Sequence, residues 1–147
     1  MLIKQMSVFV ENTTGRLAEL TRVLANDGID IKASCIADTV DFGILRCIVD
    51  EPEEATRVLK ENGFTASITE VIAVELEDRP GGFADVLEVL AKEEIGVDYI
   101  YSTVRSKEGA AVIVIKVEDP RKAVEVLEKH GVKLYKMEEL KEMRHAK

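Results

Sequence analysis

The sequence predicts an α+β fold of two repeated βαββαβ modules, each an antiparallel four-stranded sheet with helices on one face. Three observations carry this. The stretch Glu77-Asp78-Arg79-Pro80-Gly81-Gly82-Phe83 stands between an alternating run, Ile72-Ala73-Val74-Glu75-Leu76, and a helical run from Phe83 to Lys92. It reads as strand, tight turn and helix. The first half has the same construction: Ser7-Val8-Phe9-Val10-Glu11, then Asn12-Thr13-Thr14-Gly15, then Arg16 to Asn26. Finally, Glu11 and Glu77, Gly15 and Gly81, Leu17 and Phe83, and Leu24 and Leu90 are each 66 positions apart. The chain is a duplication.

Taken in order, Ile3 to Glu11 reads as a strand with Met6, Val8 and Val10 on one face. Helix one, about Gly15 to Asn26, carries Leu17, Leu20 and Leu24 on a stripe, with Thr14 as N-cap and Asn26-Asp27-Gly28 as its stop. A second strand, Ile29 to Ala37, turns through Asp38-Thr39-Val40-Asp41 into a third, Phe42 to Val49. Pro52 fits the first turn of a helix reaching Asn62, with Ala55, Val58 and Leu59 inward. Gly63 ends it, and Phe64 to Thr69 is a short fourth strand.

The second half repeats that order. Strand Val71 to Glu77 leads through the turn to a helix with Phe83, Val86, Leu87 and Leu90 on one face. Strand Gly96 to Arg105, a turn at Ser106-Lys107-Glu108-Gly109 and strand Ala110 to Val117 follow. Asp119 caps a helix with Pro120 first, Ala123, Val126 and Leu127 inward, and Gly131 at its end. Val132 to Met137 is the last strand, Glu138 to Met143 a short helix, and Arg144 to Lys147 a frayed tail. Gly63 and Gly131 stand 68 apart, so the second half has the longer hairpin. The domains are therefore 1–69 and 70–147, the latter with a short extension from about 138. No linker composition separates them, which predicts a fixed angle between modules. The strand Ala110 to Ile115 is apolar at every position, so both its faces call for burial, by the other half or another subunit.

Composition narrows the function. A net charge of −8 argues against nucleic acid and against an anionic membrane surface. No apolar run approaches the roughly 20 residues of a membrane helix, and the N-terminus lacks a signal peptide's apolar core. Cys35 and Cys47 have no zinc-like spacing and read as buried small hydrophobes of a reduced, cytoplasmic protein. His130 and His145 lack the neighbours of a metal site or catalytic dyad. No nucleophile–base pair, metal constellation or cofactor motif is present, so no enzymatic activity and no cofactor is expected.

At the two turns the residues resemble a known family. A βαββαβ module of the ferredoxin-like arrangement, with a D-x-P-G-x-apolar turn between first strand and first helix, is similar to the ACT domain, a small regulatory module. The second half matches best, through Asp78-Arg79-Pro80-Gly81-Gly82-Phe83, Leu87, Leu90 and Ile95-Gly96-Val97. The first half matches through Asn12-Thr13-Thr14-Gly15-Arg16-Leu17, Leu24 and Gly28-Ile29-Asp30-Ile31, with Thr14 where proline is usual. The stretch Ile36 to Arg46 also resembles stand-alone tandem ACT proteins.

The resemblance implies a free amino acid bound at an interface between paired modules, with Asn12 to Leu17 and Asp78 to Phe83 as the contacting residues. Asn12 offers both a donor and an acceptor, Asp78 a partner for an ammonium, and Gly15, Gly81 and Gly82 close approach to backbone. Thr13, Thr14, Arg16, Leu17, Arg79, Pro80 and Phe83 belong to the same turns. Asp38, Thr39, Phe42 and Gly43 are expected to line the interface of the first. The bland readings stand beside these: glycine serves a simple strand-to-helix bend, Asp78 a helix dipole, and Phe42 strand packing. The implied function is a non-catalytic amino-acid sensor, a homodimer signalling through association. The alternative is a regulatory subunit that binds a metabolic enzyme and no small molecule.

Overall fold

The computed structural model describes residues 1–38, 40–103 and 110–143 of the chain. It divides into two compact units, Lys4–Thr69 and a second comprising Glu70–Lys147 with Met1–Ile3. The first contains β1 (Ile3–Glu11), α1 (Arg16–Asn26), β2 (Ile31–Asp38), β3 (Phe42–Val49), α2 (Pro52–Glu61) and the start of β4 (Thr65–Glu77). Its strand order is β2-β3-β1-β4. Antiparallel pairing sets Val8 opposite Leu45 and Cys35 opposite Arg46. Because side chains alternate along a strand, Met6, Val8 and Val10 share one face, and they form a core with Leu20, Leu24, Ala55 and Leu59 of the helices.

The second unit continues β4 and adds α3 (Gly82–Lys92), β5 (Val97–Ser102), β6 (Ala110–Val117), α4 (Pro120–Lys129), β7 (Leu134–Tyr135) and α5 (Met137–Glu142). Its order β5-β6-β4-β7 repeats the first unit's second-third-first-fourth arrangement. Ile72, Val74, Ile113 and Ile115 meet Val86, Leu90, Ala123 and Leu127 in its core. Both faces of β6 are buried, as the unbroken apolar run predicts: Val112 and Val114, on the side away from that core, are 1% and 0% exposed in the single chain.

Several boundaries differ from expectation, each for a local reason. Gly15, not Thr14, precedes α1: its φ of 89° puts it in the left-handed region, and no side chain caps the helix. A turn needing that conformation next to the helix excludes a β-branched cap there. β2 starts at Ile31 because Gly28 and Ile29 close α1, donating to Ala25 and Leu24 carbonyls, each at 3.0 Å. The strands expected over Phe64–Thr69 and Val71–Glu77 are one 13-residue strand, β4, since no turn residue interrupts them. β7 is short because the Val132 N–H is committed to the Leu127 carbonyl at 3.0 Å. Leu17 and Phe83, expected on the core stripes, are 40% and 37% exposed, and the partly buried Val23 and Val89 take the inward side instead. The expected hairpin at Ser106–Gly109, the end of β5 at Arg105 and the tail from Arg144 lie outside the described residues. Among the described residues, no helix is long and apolar enough to cross a membrane.

Candidate functional site

Strand β1 ends and α1 begins across a four-residue loop, Asn12 to Gly15, that is tied to the β2–β3 connection. The Asn12 N–H donates to the Asp41 carbonyl at 3.0 Å, and Asn12 Nδ2 donates to the Val40 carbonyl at 3.1 Å. Thr13 N–H returns to Glu11 O at 2.8 Å, and Arg16 N–H to Thr13 O at 3.2 Å. Asn12 thus commits one of its two amide N–H donors to shaping the loop, and its second N–H and its carbonyl oxygen remain as the groups it can offer a ligand. Between this loop and the sheet lies a cleft of about 120 Å³ lined by Val10, Glu11, Asn12, Thr13, Leu17, Ile36 and Gly43. Gly43 faces Val10 across the ladder, and a Cβ there would meet Ile36 Cγ1 at 3.2 Å, so the missing side chain keeps the floor open.

The structure therefore brings Asn12, Thr13, Leu17 and Gly43 together and adds Val10, Glu11 and Ile36. Ile36 carries a signal that sequence alone understates: an isoleucine 46% exposed near the end of an edge strand. Phe42 lies on the opposite sheet face from Gly43 and stacks on Phe9, ring centroids 4.7 Å apart and planes 25° apart. Asp38 ends β2 opposite Gly43, and Thr39 is outside the described residues. Thr14 and Gly15 are exposed on the outer side of the turn. Arg16 turns the other way, its guanidinium carbon 3.9 Å above the Phe64 ring centre. Its Nη1 donates to Glu19 Oε2 at 3.0 Å. Its Nε is 3.1 Å from Glu11 Oε2, close enough for an ion pair, yet the buried N–H is not aimed to make a hydrogen bond.

In the second turn Gly81 has φ 87° and precedes α3 as Gly15 precedes α1. Gly82 opens the helix against the end of β4, where a Cβ would lie 2.2 Å from the Glu77 carbonyl oxygen. Arg79 pairs with Glu77 and Asp85, and those carboxylates, by accepting its hydrogen bonds, hold its pKa above the ordinary arginine value. Beside this turn is a larger cleft, about 340 Å³, lined among others by Glu77, Arg79, Gly82, Asp85, Val132 and Lys133. Of the predicted residues it gathers Arg79 and Gly82, while Asp78, Pro80, Gly81 and Phe83 lie outside its lining. Lys133 and Glu75 were not foreseen. Behind the cleft Tyr135 donates to Glu75, and burial followed by that bond pushes its hydroxyl pKa up.

A family model described as an ACT domain pair matches residues 1–144. A solved protein of Bacteroides thetaiotaomicron is 41% identical over 95% of this chain and 96% of its own, with a TM-score of 0.90. The regulatory subunit of aspartate kinase from Thermus thermophilus, in its ligand free form, is 18% identical over 86% of this chain and 91% of that one, with a TM-score of 0.63. The Thermus flavus counterpart is 16% identical over 88% and 94%, at 0.61. At such identities the two subunits share the fold with this chain. No curated protein matches the chain.

Proposed function

The chain belongs to the ACT domain pair family, and from that premise we propose that it is a non-catalytic regulatory protein that binds a free amino acid and signals through its own association. One observation carries the reading. The β1–α1 turn contributes Asn12, Thr13 and Leu17 to the lining of an open cleft of about 120 Å³, at the end of β1 and beside the start of a helix that a left-handed glycine introduces. Unpaired helix N–H groups favour a carboxylate, and the Asn12 oxygen accepts from an ammonium. A volume of about four water molecules, open to solvent, covers too little of a ligand to hold it alone. A second surface must close over it, which a module of a second copy supplies in a homodimer. Exposed Leu17 and Ile36 at the rim give that surface something apolar to cover. A ligand bridging the pair then shifts association by its differential affinity for the closed state. The cytoplasm is the compartment this reading assumes.

The test is thermal unfolding of the purified protein with each of the twenty amino acids at millimolar concentration, alongside sedimentation. One or a few should raise the midpoint and drive dimer formation, since a ligand binding only the folded state stabilises it by about 2.7 kcal/mol at a hundred times Kd. Asn12→Ala should weaken the active ligand about tenfold or more, as loss of a hydrogen bond to a charged group does. Equal binding by that variant removes Asn12 from the site. No response to any amino acid leaves the alternative, a subunit that binds a metabolic enzyme directly. Its best sequence support, the apolar strand over residues 110–115, is weakened because β6 is already buried on both faces.

A further inference from the structure

The duplication lets each turn be compared with its copy. Around the first, the apolar lining of the cleft is Val10, Leu17 and Ile36 over the bare backbone of Gly43. The strand ladders identify the second unit's counterparts. Val10 pairs with Gly43 and Leu76 with Ala111; Ile36 pairs with Leu45 and Ser102 with Ile113. Val10, Leu17 and Ile36 therefore correspond, 66 positions on, to Leu76, Phe83 and Ser102, and Gly43, 68 on, to Ala111. All of these positions differ between the units. Ala111 carries a methyl group packed against the second core where Gly43 leaves space. Ser102 is an exposed polar residue where Ile36 supplies a branched hydrocarbon.

In the first unit the floor and the wall depend on each other. A Cβ at Gly43 would come within 3.2 and 3.3 Å of Ile36 Cγ1 and Cδ1, so the end of the isoleucine side chain lies over the glycine. Glu11, the charged member of the lining, holds its carboxylate 3.1 Å from Arg16 Nε. A ligand side chain here meets the hydrocarbon of Val10, Leu17 and Ile36, while Asn12 and Thr13 put polar groups on the turn. We propose that the first turn alone binds the amino acid and that it selects one with a branched aliphatic side chain, valine being the type, held by Leu17 and Ile36 over Gly43. This rests on the amino-acid reading of the same cleft. The size agrees: about 120 Å³, roughly the space of four waters, matches an isopropyl or isobutyl group and not a benzyl group. Branching is favoured over a straight chain because fewer rotamers are lost on burial.

Titration calorimetry on the full chain tests it with L-valine, L-leucine, L-threonine, L-phenylalanine and L-aspartate. Valine or leucine should bind at about one per chain. Threonine, of nearly the same shape as valine, should bind about tenfold or more weaker, because its hydroxyl enters a hydrocarbon lining. Ile36→Ser changes an exposed residue on an edge strand and should leave the unfolding midpoint nearly unchanged. It should weaken valine about tenfold and bring it level with threonine. Gly43→Ala should weaken valine comparably by pushing Ile36 into the cleft. Tighter binding of threonine, phenylalanine or aspartate than of valine, two molecules per chain, or an unchanged valine-to-threonine ratio in Ile36→Ser overturns the selection while leaving an amino-acid site. No binding of any amino acid overturns it together with the reading on which it rests.

Discussion

A Cβ built on Gly82 would lie 2.2 Å from the Glu77 carbonyl oxygen, whereas one built on Gly15 meets nothing within 4 Å. The two glycines are thus required for different reasons, one by contact and the other by its φ of 89°. Gly15→Ala should cost about 1 kcal/mol of stability in urea unfolding, the penalty of a left-handed non-glycine. Gly82→Ala should cost about 3 kcal/mol or more, because backbone has to move. A Gly82→Ala loss no larger than that of Gly15→Ala would mean that the Glu77 carbonyl moves aside at little cost. Cys47 gives a second residue-scale expectation. It is 0% exposed, and burial pushes its thiol from 9.0 up to about 12. The folded state then keeps its proton where the unfolded chain has lost it, so this contribution is complete below about pH 9. It falls by about 1.4 kcal/mol per pH unit towards pH 12. Comparing denaturant midpoints of the parent and Cys47→Ala across that range checks it: the parent's curve should be the steeper.

At the scale of elements, all four long helices end in the same device. The second residue past the C-cap donates to the third-last helical carbonyl: Ile29 to Leu24, Phe64 to Leu59, Ile95 to Leu90 and Val132 to Leu127, at 2.9–3.0 Å. Three of these ends use glycine with positive φ, Gly28, Gly63 and Gly131, and the fourth puts Glu94 at φ 55°. Glu94→Gly should therefore raise stability by about 1 kcal/mol, partly offset by the freer unfolded chain. A loss on thermal unfolding would show that the Glu94 side chain does something the backbone does not. Helix ends were legible because their glycines are local signals. Strand ends were less so: nothing in the sequence says that Val132 will give its N–H to α4 rather than to a longer ladder with β4.

For the molecule as a whole, the units do not follow the chain's midpoint. Met1–Ile3 group with Glu70–Lys147, and Leu2 packs against the second core while Ile3 is 1% exposed. Removing residues 1–3 should therefore speed hydrogen exchange in α3, α4 and β6 more than in α1 and α2. Faster exchange confined to α1 and α2 would reverse the assignment.

The duplication, the order of elements, the two glycine turns, the core face of β1 and the burial of β6 on both sides were determined by the sequence itself. Each is written in a short-range pattern: a period of two, a helical stripe, a glycine beside it, repeated at a fixed spacing. Tertiary structure alone decided that Leu17 and Phe83 stand out from the cores, that Phe42 turns to Phe9 and away from the Asn12 cleft, and that Arg16 lies over Phe64. The physical reason is separation. Arg16 and Phe64 are 64 − 16 = 48 positions apart, and only the packing of helix against sheet brings a guanidinium over that ring.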